Sequence, residues 1–174
     1  MSPARRLGLW TVGGAALLAF GAQITVPMTP VPMTLQTLAL CWVALAAGWR
    51  AGLGAALLYL TAVLVGLPVL ADGSSAPGAT FFIELKSAGY VLGFVPGALL
   101  AGLLRKNLAL RLLGGVLAHA VVLLVGWLVL STHIGAGPAW THGVWPFVVG
   151  GLVKTVLAAV MAGPFVAESP SESA

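Results

Sequence analysis

The chain has 174 residues, of which 60% are hydrophobic and only 7% are charged, and its mean hydropathy is +1.07. Ordinary soluble domains carry about 25% charged residues, so this composition excludes a water-soluble globular protein and predicts an integral membrane protein. The single cysteine, Cys41, excludes a disulfide framework and any paired-cysteine redox or zinc motif.

The formal net charge of +4 comes from cations scattered between the apolar runs. A nucleic-acid-binding protein concentrates Lys and Arg on one face, so we expect no nucleic-acid partner. The cations that precede or separate the runs are Arg5, Arg6, Arg50, Arg105, Lys106 and Arg111. With a cytoplasmic N-terminus these all lie inside and Lys86 lies outside, which predicts that both termini are cytoplasmic.

The apolar runs predict an all-α bundle of six transmembrane helices, N-in and C-in, that forms one domain over 1–174. The runs cover approximately 7–24, 34–49, 51–67, 85–104, 110–131 and 144–166. The polar end, 168–174, is predicted to be a disordered tail. The first run also fits a signal peptide with a cleavage site near Ala22, but the apolar connection after it favours a retained helix.

The connection between the first two predicted helices is uncharged and rich in proline. Pro27, Pro30 and Pro32 cannot continue a helix and favour extended backbone. Extended backbone in lipid would leave peptide groups unpaired, so we expect this outer loop to pack against protein at one membrane face. There it can act as a lid.

Lys154 lies about ten residues into the last predicted span, hence roughly 15 Å from its outer edge at 1.5 Å per residue. Insertion scales give a cost of about 2.5–3.5 kcal/mol for Lys at the centre of a membrane helix. Its side chain is therefore predicted to face a cavity, a carboxylate or an anionic ligand, whereas the alternatives are snorkelling and structural pairing.

Glu84 and Lys86 lie at the outer start of the fourth predicted span and fit interfacial anchors as well as ligand contacts. Glu84 is the more specific candidate because a site that recognises N–H donors needs an acceptor. Tyr90 and Phe94 follow within one and a half turns and can form the wall of an apolar site, although aromatic residues at helical spacing also occur in plain packing.

Gln23, Thr34 and Gln36 flank the proline-rich connection. Buried amides and hydroxyls need hydrogen-bond partners, which a polar ligand can supply, although Thr34 also fits a helix cap. Ala15 and Ala19 lie four residues apart in the first span, a spacing that permits close approach of another helix, either within the chain or in a partner.

Enzyme signatures are absent from the sequence, so the chain is not expected to be an enzyme. Gly150–Thr155 lacks the glycine and the strand context of a phosphate loop, and Ser131 with His133 lacks a nucleophile elbow. The histidines are scattered and predict no metal site, and no cofactor is expected.

Three stretches in combination resemble the BioY family, the biotin-specific S components of energy-coupling-factor (ECF) transporters. They are GAQITVPMTPVPMTLQTLAL (21–40), LLYLTAVLVGLPVLADG (57–73) and SAGYVLGFVPGALLAGLL (87–104). The similarity runs over about 23–104 and more weakly through the last helix.

The resemblance implies a multi-pass, substrate-binding protein of the bacterial inner membrane that binds biotin at its outer side. It also implies docking through the first helix, at Ala15 and Ala19, onto a membrane coupling subunit that works with two ATPase subunits. In this interpretation Lys154 supplies a positive charge, while Gln36, Thr34 and Glu84 serve the polar ends of biotin. Tyr90 and Phe94 form the wall, and Gln23 and Lys86 are further candidates.

Two departures from the family pattern leave alternatives open. The family usually has G-P-T-G-G-Y before the fourth helix, where this chain has Leu85–Tyr90, and an Asp where this chain has Gly151. Glu84 is the proposed replacement for that carboxylate. The alternatives are an S component for lipoate or a biotin precursor, a membrane-integral enzyme that uses Lys154 and Glu84, and a purely structural subunit.

Overall fold

The structure, a computed structural model, describes residues 1–167 and is almost entirely helical. The predicted disordered tail, 168–174, lies outside the described residues. The helices are α1 (Pro3–Gln23), α2 (Gln36–Ala47), α3 (Trp49–Leu64), α4 (Ala79–Ile83), α5 (Ala88–Leu103), α6 (Leu108–Ile134), α7 (Ala136–Gly143), α8 (Trp145–Met161) and α9 (Gly163–Ala167). Two short strands, β1 (Thr25–Val26) and β2 (Met33–Thr34), and a 3-10 turn, Ala71–Gly73, complete the chain.

Each of the six predicted apolar runs overlaps one long helix, namely α1, α2, α3, α5, α6 and α8. Some helices extend beyond the predicted bounds: α3 begins at Trp49, before the run 51–67, and α6 exceeds the run 110–131 at both ends. Side-chain caps begin two of these helices: the Ser2 hydroxyl accepts from the amide of Arg5 at the start of α1, and the Asn107 side chain accepts from that of Leu110 at the start of α6. The break between α2 and α3 falls at Gly48, whose φ of +91° suits glycine, rather than at Arg50 as the charge pattern suggested. The short helices α4, α7 and α9 were not predicted.

The proline-rich connection, residues 24–35, forms a hairpin between α1 and α2, and we call it the hairpin connection. Its strands pair antiparallel, with Thr25 opposite Thr34 and Val26 opposite Met33. The Leu35 amide donates to the Gly21 carbonyl at 3.0 Å. Strand pairing therefore provides hydrogen-bond partners for part of the backbone N–H and C=O groups in this extended, proline-rich segment.

Small residues let α5 and α6 pack closely. Gly89, Gly93 and Gly97 recur every four residues on α5, and a Cβ added at Gly93 would lie 2.8 Å from the Cα of Val122 on α6. Such spacing brings helix backbones together where side chains would hold them apart. Residues of α5 and α6 together form one side of a cavity inside the bundle.

The outer surface is apolar. Val149, Val153 and Val160 on α8 are each more than half exposed, as is Phe20 on α1. Two stretches, Leu108–Ile134 and Ala136–Met161, are long and apolar enough to cross a membrane by length and composition. Exposed apolar area of this extent is characteristic of a protein surrounded by lipid.

We expect Gly102→Ala to lower the thermal stability of the purified protein. A Cβ at Gly102 would overlap the backbone of Trp49 at the start of α3, which cannot rotate away. Overpacking of this kind costs about 1–3 kcal/mol. The measurement is the unfolding temperature in detergent.

Gly13→Ala is the matched control, since it makes the same change in a helix where nothing lies within 4 Å of the new Cβ. This variant should unfold at or slightly above the wild-type temperature, because alanine favours helix over glycine. Equal unfolding temperatures for both variants would contradict the close approach of α5 and α3.

Candidate functional site

A cavity lies between α2, α5, α6 and α8, with the hairpin connection on one side. The walls are mainly apolar and aromatic; the side chains that supply them include Val31, Val91, Phe94, Val122, Leu123 and Phe147. The cavity therefore suits a small ligand with an apolar body.

Lys154 projects into this cavity from the tenth position of α8 and is only 9% exposed. Its Nζ donates a hydrogen bond of 2.6 Å to the backbone carbonyl of Thr34 in the hairpin connection. Within residues 1–167 the carboxylates are Asp72 and Glu84, which are both exposed and lie outside the cavity lining. The ammonium thus has a neutral partner and stands beside an open cavity.

A chain of hydrogen bonds fixes Thr34 and Gln36 at the cavity. The Thr34 hydroxyl donates to Gln36 Oε1 at 3.0 Å, and Gln36 Nε2 donates to the hydroxyl of Tyr59 at 2.7 Å. That hydroxyl donates in turn to the carbonyl of Val69 at 3.0 Å. The Gln36 amide donates to the Thr34 hydroxyl at 3.3 Å, so Thr34 also serves the first turn of α2.

Tyr90 and Phe94 contribute to the wall of the cavity from α5. The Tyr90 ring stacks on Phe147 with centroids 5.9 Å apart, and its hydroxyl donates to the carbonyl of Gly143 at 2.7 Å. The Phe94 ring packs against Tyr59 at 6.2 Å. The Tyr90 hydroxyl thus ties α5 to the end of α7, and the ring presents its apolar surface.

Three of the predicted site residues lie outside the cavity lining. Glu84 and Lys86 are exposed on the segment between α4 and α5. Gln23 donates to the carbonyl of Leu70 at 3.0 Å and accepts from the amide of Gly73 at 3.0 Å. Gln23 therefore anchors the connection after α3, which contributes Leu70 to the lining, but does not reach the cavity itself.

The predicted docking pair, Ala15 and Ala19, is half-buried and packs against the core of the bundle. The side of α1 that faces outward carries Val12, Ala16 and Phe20. The outward face of this helix is thus offset from the predicted pair by about one residue, or roughly 100° around the helix.

The sequence did not identify His119 of α6 as a site residue, yet it lines the cavity. Its Nδ1 lies 2.9 Å from the carbonyl of Gly115 and 3.1 Å from the hydroxyl of Thr155. A single histidine in an apolar run belongs to no periodic pattern, so its polarity was the only signal in the sequence that could have identified it. Phe147 and Leu70 were missed because each resembles ordinary core residues in sequence.

The comparisons with known proteins agree on one family. The BioY family model matches residues 2–170. A probable biotin transporter BioY from Pyrococcus horikoshii is 34% identical over 147 residues, covering 84% of this chain and 88% of the relative. The biotin transporter BioY from Thermotoga maritima is 34% identical over 151 residues with the same coverage of both chains.

A solved structure has the same fold. The crystal structure of the S component for biotin from an ECF-type ABC transporter matches with a TM-score of 0.84, covering 97% of this chain and 96% of that chain. The sequence identity of 21% means that this likeness bears on the fold alone. The family match spans nearly the whole chain, and the curated relatives are named as transporters rather than enzymes. This chain belongs to the BioY family.

Proposed function

We propose that this chain is the substrate-binding membrane subunit of an ECF-type transporter and that it captures biotin for uptake. The observation that carries the proposal is the Lys154 ammonium, which faces a mainly apolar cavity and, within the described part of the chain, has a backbone carbonyl as its hydrogen-bond partner. Biotin has an apolar bicycle, a polar ureido group and a carboxylate. The bicycle can pack against the apolar walls of the cavity, and the carboxylate can pair with the Lys154 ammonium. The membership of the BioY family supports the same substrate.

The proposal includes a membrane arrangement. The six long helices cross the bilayer of a bacterial inner membrane, with both termini inside and the hairpin connection at the outer face. The basic residues between the spans favour this orientation. The described residues then form one transmembrane substrate-binding domain, and the cavity opens toward the side from which biotin arrives.

Lys154, Thr34, Gln36, Tyr90 and Phe94 are the proposed binding residues. Lys154 supplies the charge, and Tyr90 and Phe94 supply the wall. Thr34 and Gln36 are held by their own hydrogen bonds at the edge of the cavity, so they are pre-organised for contact. Gln23 acts through the connection it anchors, whereas Glu84 and Lys86 reach the ligand only if the segment between α4 and α5 moves.

Mass spectrometry of ligand released from the natively purified protein tests the identity of the substrate directly. Biotin is the expected mass. Lipoate or a biotin precursor would instead indicate an S component for another small anion. Turnover of the bound compound would indicate an enzyme, and the absence of any ligand, together with no binding of added biotin, would indicate a structural subunit.

We expect Lys154→Met to weaken biotin binding at least about 30-fold, as measured by calorimetric titration in detergent. Removing one partner of a buried charge–ligand contact costs roughly 2–5 kcal/mol, which corresponds to this factor or more. Methionine keeps the length of the side chain and removes the charge, so the fold should persist.

Lys106→Met is the matched control, because Lys106 is exposed in the turn between α5 and α6. It should bind biotin like the wild type. A folded Lys154→Met variant with wild-type affinity would remove Lys154 from the proposed site.

The proposed partners are a membrane coupling subunit, which docks on α1 at Ala15 and Ala19, and two ATPase subunits that work with that coupling subunit. If so, the double variant Ala15→Val, Ala19→Val should reduce biotin uptake by cells that carry the complete transporter, while purified protein keeps its affinity for biotin. Larger side chains at these positions prevent close helix approach.

Ala16→Val is the matched control for docking, since Ala16 is exposed and lies about 100° away from Ala15 around the helix. It should leave uptake unchanged. Loss of uptake with Ala16→Val but not with the double variant would move the docking surface to the outward face of α1.

A further inference from the structure

The orientation and proton position of the His119 ring follow from its neighbours. His119 Nδ1 lies 2.9 Å from the carbonyl oxygen of Gly115, one turn earlier on α6. A carbonyl oxygen can only accept, and the Thr155 hydroxyl, 3.1 Å from Nδ1, can accept as well, so we assign the proton to Nδ1. The neutral ring then carries a lone pair, and no proton, on Nε2.

That lone pair has no hydrogen-bond partner among residues 1–167. His119 is 9% exposed, and Nε2 is fully buried without a hydrogen bond. Among the described residues, the other buried side-chain polar atoms without a partner belong to Trp42 and Arg111, which do not line the cavity. Buried polar groups are nearly always satisfied, so an orphaned acceptor at a cavity wall indicates a missing hydrogen-bond donor.

Several other polar side chains of the lining make hydrogen bonds within the protein or are donors. The Tyr90 hydroxyl donates to Gly143, and the side chains of Thr34 and Gln36 bond to each other. Lys154 is a donor, and no carboxylate of residues 1–167 lines the cavity. Thr37 and Ser87 also line the cavity with hydroxyl groups, but both residues are partly exposed. Among the described residues, His119 Nε2 is thus the fully buried acceptor of the lining that makes no hydrogen bond.

The absence of a side chain at Gly151 makes room for the ring. A Cβ added there would lie 3.1 Å from Cδ2 of His119, the carbon bonded to Nε2. Any larger side chain at Gly151 would press on the ring edge that carries the lone pair. Gly151 on α8 and Gly115 on α6 thus fix the imidazole from two sides.

We propose that His119 Nε2 is a binding subsite for a ligand N–H and that it accepts a hydrogen bond from a ureido N–H of biotin. This inference rests on the proposed function. In this proposal, His119 on α6 recognises the N–H groups of the ligand. Lys154 is a donor and the aromatic wall makes apolar contacts, so they serve other parts of the ligand.

The test compares two ligands on purified protein by calorimetric titration. The ligands are biotin and biotin methylated on both ureido nitrogens, which lacks the N–H donors. We expect His119→Leu to weaken biotin binding about 10- to 100-fold, since an N–H of the ligand loses its acceptor. The same substitution should change the affinity for dimethylated biotin by about twofold or less, because that ligand has no N–H to lose.

Two further variants separate recognition from structure. His119→Gln retains an acceptor near the Nε2 position and should recover most of the affinity for biotin. His133→Leu makes the same change as His119→Leu on the same helix but outside the lining, and should bind both ligands like the wild type.

Equal weakening of both ligands by His119→Leu would overturn the proposal, because it would indicate a change of cavity shape. Wild-type affinity for biotin in a folded His119→Leu variant would overturn it while leaving the proposed function intact. If wild-type protein binds no biotin at all, the proposed function fails and the subsite fails with it.

A measurement on the wild-type protein makes the test independent of whether His119→Leu folds. In protein labelled with ¹⁵N-histidine, the Nε2 resonance of His119, assigned by its loss in His119→Gln, should move upfield when biotin is added. This is the direction expected when a lone pair accepts a hydrogen bond. An unmoved Nε2 resonance at saturating biotin would overturn the proposal.

Discussion

The site depends on one charged hydrogen bond, from the ammonium of Lys154 to the carbonyl of Thr34. An ammonium among helices that face lipid is costly unless polar groups or a ligand compensate for its lost hydration. A single neutral carbonyl does so only in part. This bond also joins α8 to the hairpin connection, so the residue that supplies the charge of the cavity also anchors the connection at one side of it.

The polar groups around the cavity divide into those that hold the connections and those that remain available. Gln23, Gln36 and Tyr59 spend their hydrogen bonds on the two connections that border the cavity. Lys154 and His119 retain unused capacity, one as a donor and the other as an acceptor. A site built in this way is rigid at its edge and incomplete at its centre, which favours binding of a ligand without rearrangement of the protein.

The sequence predicted the helices well because apolar runs, caps and prolines act locally. It also predicted the inward projection of Lys154, since its cost in lipid is a property of the residue and its depth alone. The positions of Glu84 and Gln23 depend on how the connections fold back over the bundle, and no local pattern encodes that. His119 was missed for a related reason: its role arises from Gly115, Gly151 and Thr155, which meet it across two helices.

The donor capacity of Lys154 bears on how the hairpin connection and a ligand share one side chain. An ammonium has three N–H donors, and Thr34 uses one of them. Two remain for an anionic or carbonyl group in the cavity, so binding does not require the bond to the hairpin connection to break. A ligand can accept a hydrogen bond from Lys154 while the bond to the Thr34 carbonyl persists, because the N–H groups of one ammonium point in different directions. Occupation of the cavity is therefore compatible with the hydrogen bond between Lys154 and the hairpin connection.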